Sequence, residues 1–319
     1  MGNIGDPYRD PVQTPQFRSR FGGLWTDLNN ATEIIEGKRE LGLISDEDAQ
    51  LLLAFVENGY IILRGAVDET VIDRLNNDVD QLVQDPPKEA WVNCIEDGHS
   101  VTRQMSPADK DAPDKMVKLL DLYSFLPSAR DVIFSSQITR FLKLVFERPV
   151  LAHQSLFFFK GSQQPVHRDT TFVRVSSPME LVASWTALED LQPGSGELAY
   201  YPKSHLYPEF LFEGKYKWWP PGSGELGNYY QHLEGSAQAE NATKTKFLAS
   251  KGDVFIWSAD FAHGGSEIDD PAKTRRSIAA HYCPLNTYPM YRHYEGASEL
   301  FTAGDQIYYC APKKVYWTS

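Results

Sequence analysis

The spacing of apolar positions changes near residue 149, and that change divides the chain in two. Before it, hydrophobic residues recur at helical intervals. Leu51, Leu52, Phe55 and Val56 follow Ser45-Asp46-Glu47-Asp48, a capping pattern with Asp48 where a Glu or Gln usually stands. Gly59 closes that helix, and Tyr60-Ile61-Ile62-Leu63 reads as a short strand. Val67-Asp68-Glu69-Thr70 opens a second helix with Val71, Ile72, Leu75, Val79 and Leu82 on one face. Asp85-Pro86-Pro87 breaks the pattern, and residues 88–112 read as irregular loop. Met116 to Tyr123 and Ala129 to Phe146 read as further helices, the second amphipathic. Residues 1–148 are therefore expected to be mainly helical with one strand, behind an extended arm over residues 1–30.

Beyond Pro149 the runs are short and bounded by turn residues. Strands are predicted over Val150 to Lys160, through His167, and over Leu181 to Leu188, Glu197 to Tyr201, Val254 to Trp257 and Ser277 to Cys283. Residues 206–250 are rich in Gly, Pro and aromatics without a clear period, which predicts a long insertion acting as a lid or binding loop. Trp218 and Trp219 there read either as a mobile aromatic surface or as packing onto the core. The tail from Pro284 reads as loop. Helices do not alternate with these strands, which excludes a parallel α/β sheet. The pattern predicts one domain over 1–319: an all-β sandwich or jelly-roll core at 149–283, a helical part at 1–148 and a tail at 284–319.

Charge narrows the partners. Lys and Arg number 31 against 43 Asp and Glu, a formal net charge of −12, so nucleic acid is not expected as a partner. No apolar run reaches the length of a membrane span, so no membrane is expected either. The polar N-terminus lacks an apolar signal region, and Asp6 stands where a myristoylation signal wants Ser or Thr. Cys94, Cys283 and Cys310 form no C-x-x-C and read as reduced thiols, Cys283 buried and inert, in a cytoplasmic protein.

Candidate chemistry lies in three places. Val166-His167-Arg168-Asp169 sets a histidine and a carboxylate two positions apart, which on a strand point to one face. Ala262-His263-Gly264-Gly265 adds a second histidine, and Arg275 opens the alternating run that ends at Tyr282. Two histidines and a carboxylate can cap one face of an iron ion and leave the other positions open. An arginine nearby can grip a carboxylate through two parallel hydrogen bonds. Together they suggest a 2-oxoglutarate-dependent oxygenase. His232/Glu234 and His293/Glu295 share the spacing, but His293 has no histidine downstream and His232 lies in the irregular segment close before His263. The His167, Asp169, His263 set is preferred because the chain between its members is long enough to cross a sheet and return.

Taken in order, these pieces resemble the phytanoyl-CoA dioxygenase family. The resemblance rests on His167-x-Asp169, Trp185 within Ala183 to Leu188, Gly196-Glu197-Leu198 running to Pro202-Lys203-Ser204-His205, His263-Gly264 and Arg275-x-Ser277. Glu57 to Ala66 resembles the family's usual opening, so the likeness runs from about residue 50 to residue 283. It implies a double-stranded β-helix (jelly-roll, cupin-like) core, mainly β, with N-terminal helices packed on one side. It implies Fe(II) as metal, 2-oxoglutarate as cosubstrate and O2 as oxidant. His167, Asp169 and His263 are the implied iron ligands, and Arg275 the implied partner of the far carboxylate of 2-oxoglutarate. Arg276 is the rival. Strand alternation puts Arg275, Ser277, Ala279 and His281 on one face and Arg276 and Ile278 on the other. Ser277 either donates to the same carboxylate or is simply small enough to fit. Gln154 matches a position where some relatives hold the cosubstrate, and Trp185 matches a pocket-lining aromatic, although strand surface and core account for them too. His205, His153 and His281 read as satisfied polar residues, His205 closing a family turn.

The implied reaction hydroxylates an unactivated C–H bond of a small-molecule metabolite while 2-oxoglutarate becomes succinate and CO2. In relatives that transfer halide, a small residue replaces the carboxylate, so Asp169 points to oxygen transfer. Desaturation, epimerisation or cyclisation at the same iron, or a catalytically silent metal-binding relative, are the alternatives. The family's range of acyl thioesters, amino acids and secondary metabolites leaves the substrate open.

Overall fold

The computed structural model describes residues 16–111, 116–220, 222–290 and 299–311. The start of the N-terminal arm and the His293/Glu295 pair lie outside the described residues.

Helices α1 (Ala31–Glu40) and α2 (Asp46–Asn58) lead into β1 (Tyr60–Leu63). Ser45 caps α2 by accepting from the Asp48 amide at 3.1 Å. Gly59 ends it at φ 82°, a left-handed conformation. A Cβ at Gly59 would also lie 2.4 Å from His205 Nδ1, so only glycine fits there. Helix α3 (Glu69–Gln84) follows, capped by Asp68 through the Thr70 amide.

The next stretch departs from expectation. Residues 88–112 contain a hairpin, β2 (Trp91–Glu96) and β3 (His99–Gln104). Asp97 and Gly98 both have positive φ, the conformation that joins two strands by a tight turn. The helix predicted from Met116 is instead β4 (Lys118–Leu120) followed by a 3-10 turn over Leu122–Ser124. Three residues of β4 pair with both β2 and β5, so sheet pairing overrides local preference. The helix predicted from Ala129 is two, α4 (Pro127–Ile133) and α5 (Ser136–Phe146).

The remaining elements are β5 (Val150–Phe158), β6 (Val182–Ala187), β7 (Leu198–Tyr200), α6 (Leu226–Ala239), β8 (Thr245–Phe247), β9 (Val254–Ser258), β10 (His263–Gly265), β11 (Ser277–Pro284), β12 (Glu299–Gly304) and β13 (Ile307–Ala311). The 206–250 segment is thus partly regular. Helix α6 buries Tyr229, Leu233, Ser236 and Ala237 at helical spacing, and β8 is an edge of the small sheet. Gly227 and Gly235 dilute that period in the sequence. The tail beyond Pro284 is also not all loop, since β12 and β13 form a hairpin and β13 pairs in parallel with β5.

The fold is mainly antiparallel β with six helices among the described residues. The large sheet runs β1-β9-β6-β11-β5-β4-β2-β3, and the small one runs β10-β7-β8. Alternation sorts the large sheet's side chains. Val182, Val254, Ile256, Ile278 and Ala280 share one apolar cluster with the buried faces of α1 to α5. Phe158, Trp185, Phe255, Trp257 and Ala279 point the other way, against Leu198, Tyr200 and Phe247 of the small sheet. Rings lock the two sheets together: Trp185 and Phe247 centroids are 6.0 Å apart, Tyr200 and Phe255 4.9 Å. Burial of both faces leaves the space between the sheets as the place for a site. Among the described residues no helix is long and apolar enough to cross a membrane.

Candidate metal centre

His167 and His263 form a single antiparallel rung. The His167 amide donates to the His263 carbonyl at 2.8 Å and the reverse bond is 2.9 Å. His263 opens β10, but His167 belongs to no regular strand, contrary to the sequence reading. Asp169 begins a 3-10 turn over Asp169–Thr171, because the Phe172 and Val173 amides bond back to the Asp169 carbonyl at 2.9 and 2.7 Å. Arg168 between them is extended, at φ −100° and ψ 140°, so the two side chains share a side as alternation expects, and the chain turns only from Asp169 onward.

One ligand atom from each of His167, Asp169 and His263 lies within 4.8 Å of the others. Such spacing suits donors about 2 Å from a common ion. The tautomers follow from the backbone. His167 Nδ1 donates to the Pro165 carbonyl at 2.8 Å and His263 Nδ1 to the Phe261 carbonyl at 3.1 Å. Each Nε2 is therefore the unprotonated, accepting nitrogen, and the two lie 3.9 and 3.6 Å from Asp169 Oδ1. The other oxygen, Oδ2, accepts from Trp257 Nε1 at 2.7 Å and faces His281 Nε2 at 3.4 Å.

Burial sets the charges. It pushes His167 down to about 3, helped by repulsion from His263, and it lowers His263 too. Burial alone would raise Asp169, but His263 and His281 outweigh it and hold the carboxyl well below the usual range. Two neutral imidazoles and one carboxylate are the protonation states that metal binding needs.

The cluster opens onto a cavity whose far wall carries Arg275. This guanidinium is 2% exposed, and burial pushes it down to about 10. Its carbon sits 5.2 Å from the Phe158 ring and 5.6 Å from the Trp185 ring. Its Nε has no hydrogen-bond partner, and no carboxylate lies within ion-pair distance among the described residues. Arg276 points to the opposite face, where it donates to Asp80 and Asn76 from α3.

The other sequence candidates are spread more widely. Trp185 lines the cavity, its Nε1 buried and unpartnered. Ser277 is buried beside Arg275, but its hydroxyl donates to the Arg275 carbonyl at 3.3 Å. Gln154 pairs with His281 across β5 and β11, off the cavity wall, with its Oε1 buried and unpartnered. His205 bonds the Val56 carbonyl at 3.1 Å and clamps α2. The His153 ring lies 6.3 Å from that of His281, tilted by 34°. His232 on α6 bonds the Pro208 carbonyl, while Glu234 accepts from Tyr201, so this pair takes no part in the cluster. All three cysteines are buried and free, and burial raises the Cys283 thiol far above its ordinary value.

Three residues at the site, Trp257, Gln164 and Lys118, escaped the sequence reading of its chemistry, and a fourth, His281, was read only as a satisfied polar residue. Trp257 and His281 hold Asp169, as described. Gln164 places its amide 3.2 Å from His167 Nε2, and Lys118 donates to the Gln164 Oε1 at 2.9 Å. Alternation along β11 placed His281 on the Arg275 face, and alternation along β9 could have placed Trp257; the helix predicted from Met116 hid Lys118.

The chain belongs to the phytanoyl-CoA dioxygenase (PhyH) family, whose family model matches residues 55–277. The peroxisomal phytanoyl-CoA dioxygenase of Bos taurus is 20% identical over 276 residues, 82% of this chain and 74% of its own. The Homo sapiens protein of that name is 20% identical over 244 residues, 73% of this chain and 68% of its own. Among solved structures, the epimerase SnoN in complex with Fe3+, alpha ketoglutarate and nogalamycin RO superposes with a TM-score of 0.58 at 15% identity, covering 83% of this chain and 98% of SnoN. EctD from S. alaskensis with 2-oxoglutarate and 5-hydroxyectoine gives 0.54 at 18% identity, covering 76% of this chain and 77% of EctD. At these identities the structural likeness is one of fold.

Proposed function

We propose that this chain is an iron(II)- and 2-oxoglutarate-dependent dioxygenase that hydroxylates an unactivated C–H bond of a small-molecule metabolite. One observation carries the reading: a buried His167–Asp169–His263 cluster opens onto a cavity lined by Arg275, which has no acid within ion-pair distance among the described residues. Family membership and the structural relatives that hold iron and 2-oxoglutarate support it. The two facing sheets are read as a double-stranded β-helix of the cupin kind. That core, the helices and the C-terminal hairpin are read as one domain.

The donor set suits iron(II), since two neutral imidazoles and a carboxylate leave coordination positions open. The cosubstrate fits as well. Arg275 Nε and Trp185 Nε1 are buried donors without an acceptor among the described residues, a costly arrangement unless a ligand supplies oxygen atoms. Once bound, the iron and its cosubstrate supply O2 activation coupled to decarboxylation of 2-oxoglutarate to succinate and CO2. The protein does the positioning. His167 and His263 present Nε2 because their Nδ1 atoms are tied to backbone carbonyls. Asp169 presents Oδ1 because Trp257 takes Oδ2. Arg275, buried beside the Phe158 and Trp185 rings, would hold the far carboxylate of 2-oxoglutarate. Ser277 steadies the start of β11 beneath it, and Gln154, which stands opposite His281 in β5, is read as a further cosubstrate contact. The carboxylate at position 169 favours hydroxylation over halide transfer. Three buried free thiols suit a reducing compartment such as the cytoplasm.

The test is a metabolite panel incubated with Fe(II), 2-oxoglutarate and 18O2. The reading predicts one labelled oxygen in the product and one succinate for each product formed. A product that is unsaturated, cyclised or inverted without the label would exclude hydroxylation. Absence of succinate under all conditions would sink the whole reading.

A further inference from the structure

Asp260 lies in the turn that joins β9 to β10, between Trp257 and His263. Its side chain is 5% exposed. One oxygen accepts from Thr170 Oγ1 at 2.8 Å, and the other meets Lys217 Nζ. Arg168 approaches it to 4.0 Å. Arg168 and Thr170 flank Asp169 on either side, so one carboxylate in the turn that delivers His263 bonds one neighbour of the candidate ligand and lies within ion-pair distance of the other, whose guanidinium also donates to the Ser204, Tyr207 and Pro208 carbonyls.

The cation comes from far away in the chain. Lys217 belongs to the segment between β7 and α6, is 3% exposed, and also meets Glu209 at 3.1 Å. Its two successors touch the same region. The Arg174 guanidinium lies 3.6 Å from the centre of the Trp218 ring, and the Trp219 amide donates to the Thr171 carbonyl at 3.0 Å. Three consecutive residues thus bind three points around one turn. A lysine is almost never buried unless it is paired, and here its partner is the residue that organises the metal-ligand turn.

We propose that Lys217-Trp218-Trp219 is a strap that positions the Asp169 turn, fastened by the Lys217–Asp260 pair, so that metal affinity depends on a segment supplying no ligand. Lys217 and Asp260 are positioning residues, acting through Arg168 and Thr170. The inference rests on the reading of His167, Asp169 and His263 as metal ligands. Packing of the segment onto the core would make the same residues matter for stability, but not for metal affinity in a folded chain.

Calorimetric titration of the metal-free full chain with Mn(II) separates the two. Wild type binds one ion; no binding by wild type would overturn the metal reading and the strap together. Lys217→Met and Asp260→Asn are each expected to weaken Mn(II) about tenfold or more, the size of effect that outer-shell partners have on metal sites. Asp260→Asn keeps an acceptor for Thr170 and serves if Lys217→Met does not fold. Lys217→Arg preserves the charge and should stay within about threefold of wild type. Arg103→Met breaks a different partly buried ion pair, with Asp109 near β3, and should leave affinity unchanged. The strap is refuted if folded Lys217→Met and Asp260→Asn bind Mn(II) as wild type does, or if Arg103→Met weakens binding equally.

Discussion

The Trp257 indole donates to Asp169 Oδ2 at 2.7 Å, and that bond decides which carboxylate oxygen faces the two histidines. With Oδ2 occupied, Oδ1 is the atom left toward His167 and His263. Trp257 also packs 4.4 Å from the His263 ring, so one side chain touches two of the three candidate ligands. Trp257→Phe keeps an aromatic ring at this buried position and removes the donor. We expect metal affinity to fall by about tenfold with the fold retained. Metal titration alongside far-ultraviolet circular dichroism checks it. Unchanged affinity would mean that the turn alone orients Asp169.

The adjacent arginines should separate cleanly. If Arg275 grips the cosubstrate as proposed, Arg275→Gln removes a buried, charge-assisted contact and should raise the 2-oxoglutarate concentration for half-saturation by about a hundredfold. Arg276→Gln loses its bonds to Asp80 and Asn76 and should cost stability of about 1 kcal/mol while leaving 2-oxoglutarate binding alone. Paired binding and melting measurements check both. A large cosubstrate defect in Arg276→Gln would reverse the assignment.

His205 offers a test of pH linkage away from the metal ligands. Burial pushes it down to about 4. Between the ordinary value near 6.5 and that folded value, the unfolded chain binds a proton that the folded chain refuses. Stability from this group therefore falls as pH drops from about 6.5 to about 4, by roughly 2 kcal/mol at pH 5. Asp27 and Asp121, raised to about 7 by burial, work in the opposite direction over the same window. The measurement is thus a comparison: the change in stability from pH 7 to pH 5 should be more favourable in His205→Gln than in wild type by roughly 2 kcal/mol. Equal changes would show that His205 titrates normally in the folded chain.

Much of the site was legible in the sequence because its chemistry is carried by rare residue types. Few chains place His-x-Asp, a later His-Gly and an arginine opening an alternating run in that order, and the structure brings His167, Asp169 and His263 together. Alternation alone also put Arg275 and His281 on one face, as β11 has them. The less legible parts share a physical cause. Strand β4 is three residues long and owes its conformation to partners on both sides, so Lys118 could not be placed from local preference. The Asp97-Gly98 turn was a hairpin signal between two half-buried runs that polar residues obscured. Asp260 and Lys217 are common residue types whose meaning lies in being buried together, which no spacing along the chain reveals.

The central claim is that Asp169, with the two histidines, holds the iron on which turnover depends. The most direct measurement compares Fe(II)-dependent formation of succinate from 2-oxoglutarate by wild type and by Asp169→Ala, each confirmed to be folded. The account predicts succinate from wild type only when Fe(II) is present, and a loss of about a hundredfold or more in Asp169→Ala. Comparable succinate from Asp169→Ala, or from wild type stripped of metal, would contradict it.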